Sequence, residues 1–274
     1  MPLYLQLPLG LALALAIALI AYRRGSLSRS GAVGAVVIGT AVFGLGGWAW
    51  GILLVAFFVS SSALSHFKEQ RKAALAEKFS KGSRRDVWQT LANGGAGALC
   101  VLGFSLTPNP LWWVAYVGAI ATVNADTWAT ELGVLSRSAP RLITSGRPVE
   151  VGTSGGITLT GTLAALGGAA LIALLAAGSV ALVEQLSSSV LLLFLVGAAA
   201  GLAGSLLDSW LGATVQAIYF CATCGKETER HPAHTCGSPT RPARGWRWLD
   251  NDWVNFISSA AGAAGAALLW WSFT

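Results

Sequence analysis

The sequence predicts an all-α fold: a polytopic membrane helical bundle of about eight transmembrane helices. Hydrophobic residues make up 54% of its 274 residues and charged residues only 11%, and the apolar residues fall into repeated runs long enough to cross a bilayer. None of the polar stretches between these runs is long enough for a separate soluble unit. Residues 1–274 are therefore expected to form a single integral membrane domain, located in the cell (inner) membrane.

The first apolar run, from Leu3 to Tyr22, has the length of a signal peptide. No basic residue precedes it, and Arg23, Arg24 and Arg29 follow it, so we interpret it as a retained first helix. Seven further apolar runs follow it along the chain. The predicted spans are Leu5–Tyr22, Ser30–Leu45, Gly47–His66, Asp86–Leu106, Leu111–Leu132, Gly155–Gly178, Val190–Tyr219 and Leu249–Phe273.

The distribution of positive charge predicts the topology. All 18 Lys and Arg residues lie in the four links that follow spans one, three, five and seven, while the other links and both termini contain none. By the positive-inside rule, both termini face outward and the four basic links face the cytoplasm. These links are Arg23–Arg29, Lys68–Arg85, Arg137–Arg147 and Lys226–Arg247.

The longest run of basic residues is the link Lys68–Arg85. Topology and attraction to anionic lipid headgroups explain its charge. Ala74, Leu75 and Phe79 fall on one side of a helix through this link, which indicates an amphipathic surface helix. No nucleic acid partner is predicted, because the basic residues are spread over four short links without a recognisable reading module. The same charge suits a nucleotide substrate.

Acidic residues within the predicted spans lie on the same side as the basic links. Asp126 and Glu131 end span five, Asp208 lies in span seven and Asp252 begins span eight. A carboxylate in the hydrocarbon layer costs about 2.5–3.5 kcal/mol on the insertion scale, so such residues are usually paired or functional. Asp126 and Asp208 have no basic residue next to them, which makes them the leading candidates for a site.

Two other acids at the starts of spans have basic neighbours. Asp86 directly follows Arg84 and Arg85, and Asp250 lies three residues after Arg247. Pairing of each carboxylate with these arginines at the membrane interface accounts for both acids. They are therefore predicted to be structural.

Polar and small residues near the acids recur at three- and four-residue steps, so each set lies along one face of a helix. Such stripes also hold membrane helices together, and helix packing remains the alternative interpretation of each. Because the stripes lie at one depth, together they favour a shared site. They are Gln89, Asn93 and Gly97; Ser205, Asp208, Gly212 and Gln216; and Asp252, Asn255 and Ser259.

Four motifs in order resemble one known family: ADTWATELG at 125–133, VEVGTSGGITLTGTLAALGG at 149–168, GSLLDSWLGATVQ at 204–216 and LDNDWVNFISS at 249–259. This is the integral-membrane family that includes the phytyl-phosphate kinases of plants and cyanobacteria and the animal transmembrane protein nineteen. The resemblance implies a kinase that transfers a phosphoryl group from a nucleoside triphosphate, with CTP as the expected donor, to a prenyl monophosphate lipid. It leaves the oligomeric state open.

Phosphoryl transfer needs its developing charge neutralised and two anionic reactants aligned. We predict that acidic side chains bind Mg2+ and that a Gly-rich loop, through backbone N–H groups at a helix N-terminus, binds the nucleotide phosphates. The loop lacks the Lys-Ser/Thr ending of a P-loop. The predicted catalytic residues are Asp126, Asp208 and Asp252. The predicted Mg2+ ligands are these three acids together with Glu131. The predicted substrate-binding residues are Asn93, Thr127, Arg147, Gly152, Thr153, Ser154, Gly155, Gly156, Gln216 and Asn255.

Residues 221–236 form a Cys/His-rich cytoplasmic link. Cys221 and Cys224 make a Cys-x-x-Cys pair, and His231, His234 and Cys236 follow within reach of a tetrahedral zinc site. We predict a structural Zn2+ held by Cys221, Cys224, His234 and Cys236. Three thiolates and one imidazole close the coordination sphere, so no position is left for catalysis. Free thiols or a redox pair are the alternatives.

Two other functions stay open at this point. A cytidylyltransferase acting on a lipid phosphate would use the same reactants and release pyrophosphate. A carrier or flippase for a phosphorylated lipid would also place polar residues inside helices, although it requires a polar path to both faces of the membrane. The polar residues here cluster towards one face, which favours chemistry over transport.

Overall fold

The computed structural model describes residues 3–67, 84–184 and 187–274 of the chain. The predicted surface helix within Lys68–Arg85 falls almost entirely outside these residues. The described part contains eight α-helices and five short strands. The helices are α1 Leu3–Arg23, α2 Arg29–Ala41, α3 Trp48–His66, α4 Val87–Leu106, α5 Pro110–Gly133, α6 Leu159–Glu184, α7 Ser188–Thr214 and α8 Asn251–Phe273.

Six of these helices are long and apolar enough to cross a membrane. They are α1, α2 together with the π-helical segment Val42–Gly46 that continues it, α3, α6 up to Leu182, α7 and α8. The helices α4 and α5 occupy the fourth and fifth predicted spans. The described fold is thus mostly helical, with all eight predicted runs in helical conformation.

The helix α5 lies at the centre of the bundle. Every residue from Val114 to Ala125 is buried, and α5 packs against α3, α4, α6, α7 and α8. Small residues allow this close approach, since a Cβ on Gly201 of α7 would meet Ala121 at 2.7 Å. Because protein surrounds α5, polar side chains near its end face other helices instead of lipid.

The helices α4 and α8, which follow basic links, each begin with an aspartate that caps the helix. Asp86 accepts a hydrogen bond of 2.9 Å from the backbone N–H of Gln89, whose side chain bonds back to Asp86, which completes a capping box on α4. Asp250 caps α8 in the same way, by accepting from the N–H of Trp253 at 3.1 Å. Both acids cap helices, a structural role that the charge pattern did not indicate, and their pairing with the neighbouring arginines stays a prediction.

The links are not free of strands, so the all-α prediction holds for the spans but not for the whole chain. Five strands form two small antiparallel sheets, one pairing β1 with β2 and the other ordered β4-β3-β5. The strands are β1 Arg141–Leu142, β2 Gly156–Ile157, β3 Ile218–Cys221, β4 Lys226–Thr228 and β5 Thr240–Arg244.

These strands shift two predicted helix boundaries. Span six was predicted to begin at Gly155, but the helix begins at Leu159 because Gly156 and Ile157 pair with β1. Span seven was predicted to reach Tyr219, but the helix ends at Thr214 because the chain enters β3 at Ile218. Apolar composition alone cannot separate a buried strand from the end of a helix.

Candidate functional site

A polar cavity of about 280 Å3 lies at one end of the bundle, where α3, α5 and α7 end and α4, α6 and α8 begin. Residues of the β1–β2 segment and of the link after α7 close it. Twelve of the predicted site residues line this cavity: Asn93, Asp126, Thr127, Glu131, Gly152, Thr153, Ser154, Gly155, Gly156, Asp208, Gln216 and Asn255.

Two carboxylates from different helices share the cavity. Asp126 belongs to α5 and Asp208 to α7. Asp126 is close enough to Asp208, and Asp208 to Glu229, for electrostatic repulsion between their carboxylates. Ser258 of α8 donates a hydrogen bond of 2.9 Å to Oδ2 of Asp208. Like charges in one cavity repel, and a bound cation or a shared proton relieves that repulsion.

A third acid lies at the rim. Glu131, one turn beyond Thr127 on α5, accepts a hydrogen bond of 2.6 Å from the hydroxyl of Ser65 on α3. The hydroxyl of Thr127 donates to the Val123 carbonyl at 2.8 Å. The carboxyl-terminal end of α5 therefore presents oxygen atoms of two kinds, carboxylate and hydroxyl, to the cavity.

The Gly-rich segment 152–156 forms a tight loop that leads into β2, whose first residue is Gly156. Gly152 and Gly155 have φ values of 81° and 83°, a left-handed conformation that only glycine adopts without strain. The N–H of Thr153 donates to the carbonyl of Glu150, just before the loop, at 3.1 Å, and the N–H of Gly156 donates to the carbonyl of Thr153 at 2.9 Å. The loop was predicted to lie at a helix N-terminus. Instead, α6 begins beyond it and is capped by Thr158, which accepts from the N–H of Gly161 at 2.9 Å.

The loop is fixed to the end of α7 through Gln216. Ser154 donates a hydrogen bond of 2.8 Å to the side-chain oxygen of Gln216, and the amide nitrogen of Gln216 donates to Glu229 at 2.9 Å. Arg244 of β5 donates to the carbonyl oxygens of Gly212, at 2.8 Å, and of Ser154, at 3.4 Å. Loop, helix and small sheet are thereby joined beside the acids.

Two predicted site residues do not line the cavity. Arg147 lies exposed between β1 and β2. Asp252 lies in the first turn of α8, while Asn251 and Asn255, which are four residues apart, line the cavity. Of the predicted stripe on α8, Asn255 therefore lines the cavity and Asp252 does not, and Asn251 lies beside Asn255 instead. A step of one residue turns a helical side chain by about 100°.

Ser65, Arg85 and Glu229 are among the lining residues that were not singled out from the sequence as site residues. Arg85 had a detectable signal, since Arg85, Gln89 and Asn93 follow one another at four-residue steps. Glu229 had none, because its position depends on the pairing of β3 with β4, which folds the link back towards the cavity. Arg85 was assigned instead to pairing with Asp86.

The Cys/His-rich link contains a cluster of metal-ligand type. One ligand atom each of Cys221, Cys224, His234 and Cys236 lies within 4.8 Å of the others. Hydrogen bonds, chiefly from Ser238, lower the pKa of the Cys236 thiol to about 6. Three sulfur ligands and one imidazole are a set that Zn2+ favours, so the predicted cluster is confirmed as a group that can bind zinc.

Comparison with known proteins places the chain in a family. A family model described as integral membrane protein DUF92 matches residues 12–263. Protein PGR of Arabidopsis thaliana is 36% identical over 263 residues, which cover 88% of each chain. An uncharacterized membrane protein of Methanocaldococcus jannaschii is 34% identical over 205 residues, which cover 72% of this chain and 77% of that protein.

A more distant relative is Protein VTE6, chloroplastic, of Arabidopsis thaliana, which is 26% identical over 250 residues. The match covers 89% of this chain and 65% of the relative. No solved structure matches the chain. Together with the six helices able to cross a membrane, the family match identifies an integral multi-pass membrane protein. The chain belongs to the DUF92 family of integral membrane proteins.

Proposed function

We propose that this protein is a prenyl monophosphate kinase that uses a nucleoside triphosphate, preferably CTP. An oxygen of the lipid phosphate attacks the γ-phosphorus, a new P–O bond forms, the bond from that phosphorus to the β–γ bridging oxygen breaks, and CDP leaves. The observation that carries this proposal is the pair Asp126 and Asp208 in one polar cavity, beside the loop 152–156. Its second support is the motif resemblance to phytyl-phosphate kinases.

The donor set of the cavity fits Mg2+. Asp126, Asp208 and Glu131 offer the hard oxygen ligands that this ion prefers, and they would hold it. Bound there, Mg2+ supplies neutralisation of the charge on the transferring phosphoryl group. Asp252 is left out of this set because it does not line the cavity.

The amides and hydroxyls of the cavity are suited to positioning phosphates. In our proposal, Asn93, Thr127 and Asn255 orient the reacting groups, and the loop 152–156 with Gln216 holds the nucleotide phosphates. The hydrogen bonds that join Ser154 to Gln216 and Gln216 to Glu229 keep this wall rigid. Arg147 is exposed and is assigned no role in catalysis.

A cleft on the other side of the loop has room for a nucleoside. It measures about 290 Å3 and is lined by Gly152, Thr153, Ser154 and by residues of β3 and β4. Because the same loop borders both the cleft and the polar cavity, we propose that a nucleotide lies in the cleft with its phosphates towards the acids. We infer that the cytoplasm lies on this side of the membrane and that both termini lie outside.

Product analysis tests the proposal. Purified protein is incubated with geranylgeranyl monophosphate, CTP and Mg2+, and lipids and nucleotides are measured together. We expect lipid diphosphate and CDP in equal amounts. A CDP-lipid with pyrophosphate would instead identify a cytidylyltransferase, and absence of turnover with all four nucleotides and several chain lengths would contradict both enzymes and favour a carrier.

A further inference from the structure

A second, apolar cavity lies between α1, α2, α3 and α4. It measures about 70 Å3, several times the roughly 10–15 Å3 that holds one water molecule. Its walls are mainly apolar side chains, which include Ile17, Ile38, Leu54 and Phe58. We call it the apolar groove. A groove with walls of this kind favours a hydrocarbon over a polar ligand.

The apolar groove and the polar cavity of the candidate site share part of their walls. Arg85, Gln89 and Asn93 line both. Gln89 and Asn93 lie four residues apart on one face of the first turns of α4, and Arg85 lies two residues before that helix. A ligand whose anionic head lies at this shared wall can place an apolar chain in the apolar groove.

Arg85 is held in place where the two compartments meet. Its guanidinium lies over the rings of Phe57 and Phe58, 5.8 and 5.7 Å from their centroids, and donates to the Ser62 hydroxyl at 3.2 Å. Its backbone bonds to both sides of the α1–α2 link, donating to the Ser26 carbonyl at 3.0 Å and accepting from the Ser28 N–H at 2.9 Å. The side chain is therefore positioned before any ligand binds.

The charge of Arg85 makes this position favourable for an anion. Burial lowers the pKa of the guanidinium and the nearby Glu131 raises it, and the group remains a cation at neutral pH. A guanidinium has five N–H donors in a planar fork, and one of them bonds to Ser62 within the described residues. Arginine in such a setting is suited to binding phosphate through two parallel hydrogen bonds.

We propose that the apolar groove holds the head-proximal part of the chain of a lipid monophosphate and that Arg85 binds its phosphate. The occupant is an isoprenoid monophosphate, whose remaining chain extends into the bilayer. This inference rests on the proposed function, since it supplies the position of the lipid acceptor. It places the acceptor phosphate on the α4 side of the polar cavity, opposite the loop assigned to the nucleotide.

Photolabelling without nucleotide tests this assignment. The probe is geranylgeranyl monophosphate with a diazirine near its phosphate end, and labelled peptides are mapped by mass spectrometry. We expect labels on α1 to α4, competition by geranylgeranyl monophosphate, and little competition by geranylgeraniol or inorganic phosphate. In Arg85→Gln we expect labelling affinity to fall about tenfold or more, as expected for loss of a charge-assisted bond, with partial recovery in Arg85→Lys.

Matched variants separate the proposed contacts from damage to the fold. Arg84→Gln removes the exposed neighbouring arginine, which lines neither compartment, and is expected to label normally. Ala35→Phe fills the apolar groove and is expected to prevent labelling, while Val37→Phe, on the exposed face of the same helix, is expected to label normally. The thermal stability of each variant in detergent is measured in parallel.

The outcomes distinguish this inference from the proposed function. Labels on α6 or α7 from an enzyme that turns over would overturn the groove and leave the kinase intact. Labelling that geranylgeraniol competes equally well would mean an ordinary bilayer lipid, and would also overturn it. Labelling of the groove that depends on Arg85, from a protein that consumes no nucleotide, would support the lipid site and contradict the kinase.

Discussion

The hydroxyl of Ser258 on α8 donates a hydrogen bond of 2.9 Å to Oδ2 of Asp208 on α7. This bond crosses between two helices at the edge of the polar cavity and fixes the direction of one carboxylate. The other oxygen of Asp208 is then oriented with it. Such a contact fixes the orientation of a carboxylate that binds a metal or a substrate.

Ser258→Ala is therefore expected to lower kinase activity by roughly fivefold, because a hydrogen bond of this kind contributes about 1 kcal/mol. Ser259→Ala is the matched control, since the Ser259 hydroxyl bonds at 2.9 Å to the carbonyl of Phe256 in its own helix. Initial rates at saturating CTP compare the two variants. Equal rates in both would show that the orientation of Asp208 does not matter.

Asp126→Asn and Asp208→Asn are each expected to reduce activity by about 100-fold or more. Each removes a carboxylate that we propose binds the Mg2+ ion, which neutralises charge on the transferring phosphoryl group. Both variants also remove repulsion between the acids, so their melting temperatures are expected to be equal to the wild type or higher. A loss of activity without a loss of stability identifies a functional residue.

Asp250→Asn serves as the control for these two variants. Asp250 caps α8 and does not line the cavity, and Asn caps a helix about as well as Asp. It is expected to keep both activity and stability. If Asp250→Asn is as inactive as Asp208→Asn, the carboxylate pair is not the centre of the site.

The helices and the cysteine cluster were predictable because their signals are local. A long apolar run fits few structures other than a spanning helix, and the spacing of Cys221 and Cys224 brings their ligand atoms together. Glu229 was not predictable, because its place beside Gln216 follows from strand pairing in the link. Arg85 has a helical spacing to Asn93, but its role at two cavities depends on how four helices pack.

Alanine substitutions at Gly155 and Gly146 separate the effect of backbone strain from that of a steric clash with α7. Its φ is 83°, and a Cβ there would collide with Ala213. Gly155→Ala is expected to destabilise the loop by about 1–3 kcal/mol and to reduce activity, measured as a lower melting temperature and a higher KM for CTP. Gly146→Ala is the control, because Gly146 has a φ of 67° with open space around it. A KM unchanged in Gly155→Ala would remove the loop from the nucleotide site.

Zinc is expected at one ion per chain, measured by metal analysis of purified protein. Cys221→Ser is expected to lose the metal because it removes a buried thiol of the cluster, while Cys100→Ala, in α4, is expected to retain it. Because β3 and β4 lead from the cluster to Glu229, loss of zinc is also expected to weaken nucleotide binding several-fold through Gln216. A protein that contains no zinc when prepared with the metal present would show that the thiols are free, and a disulfide among these cysteines would show that the cluster is a redox pair.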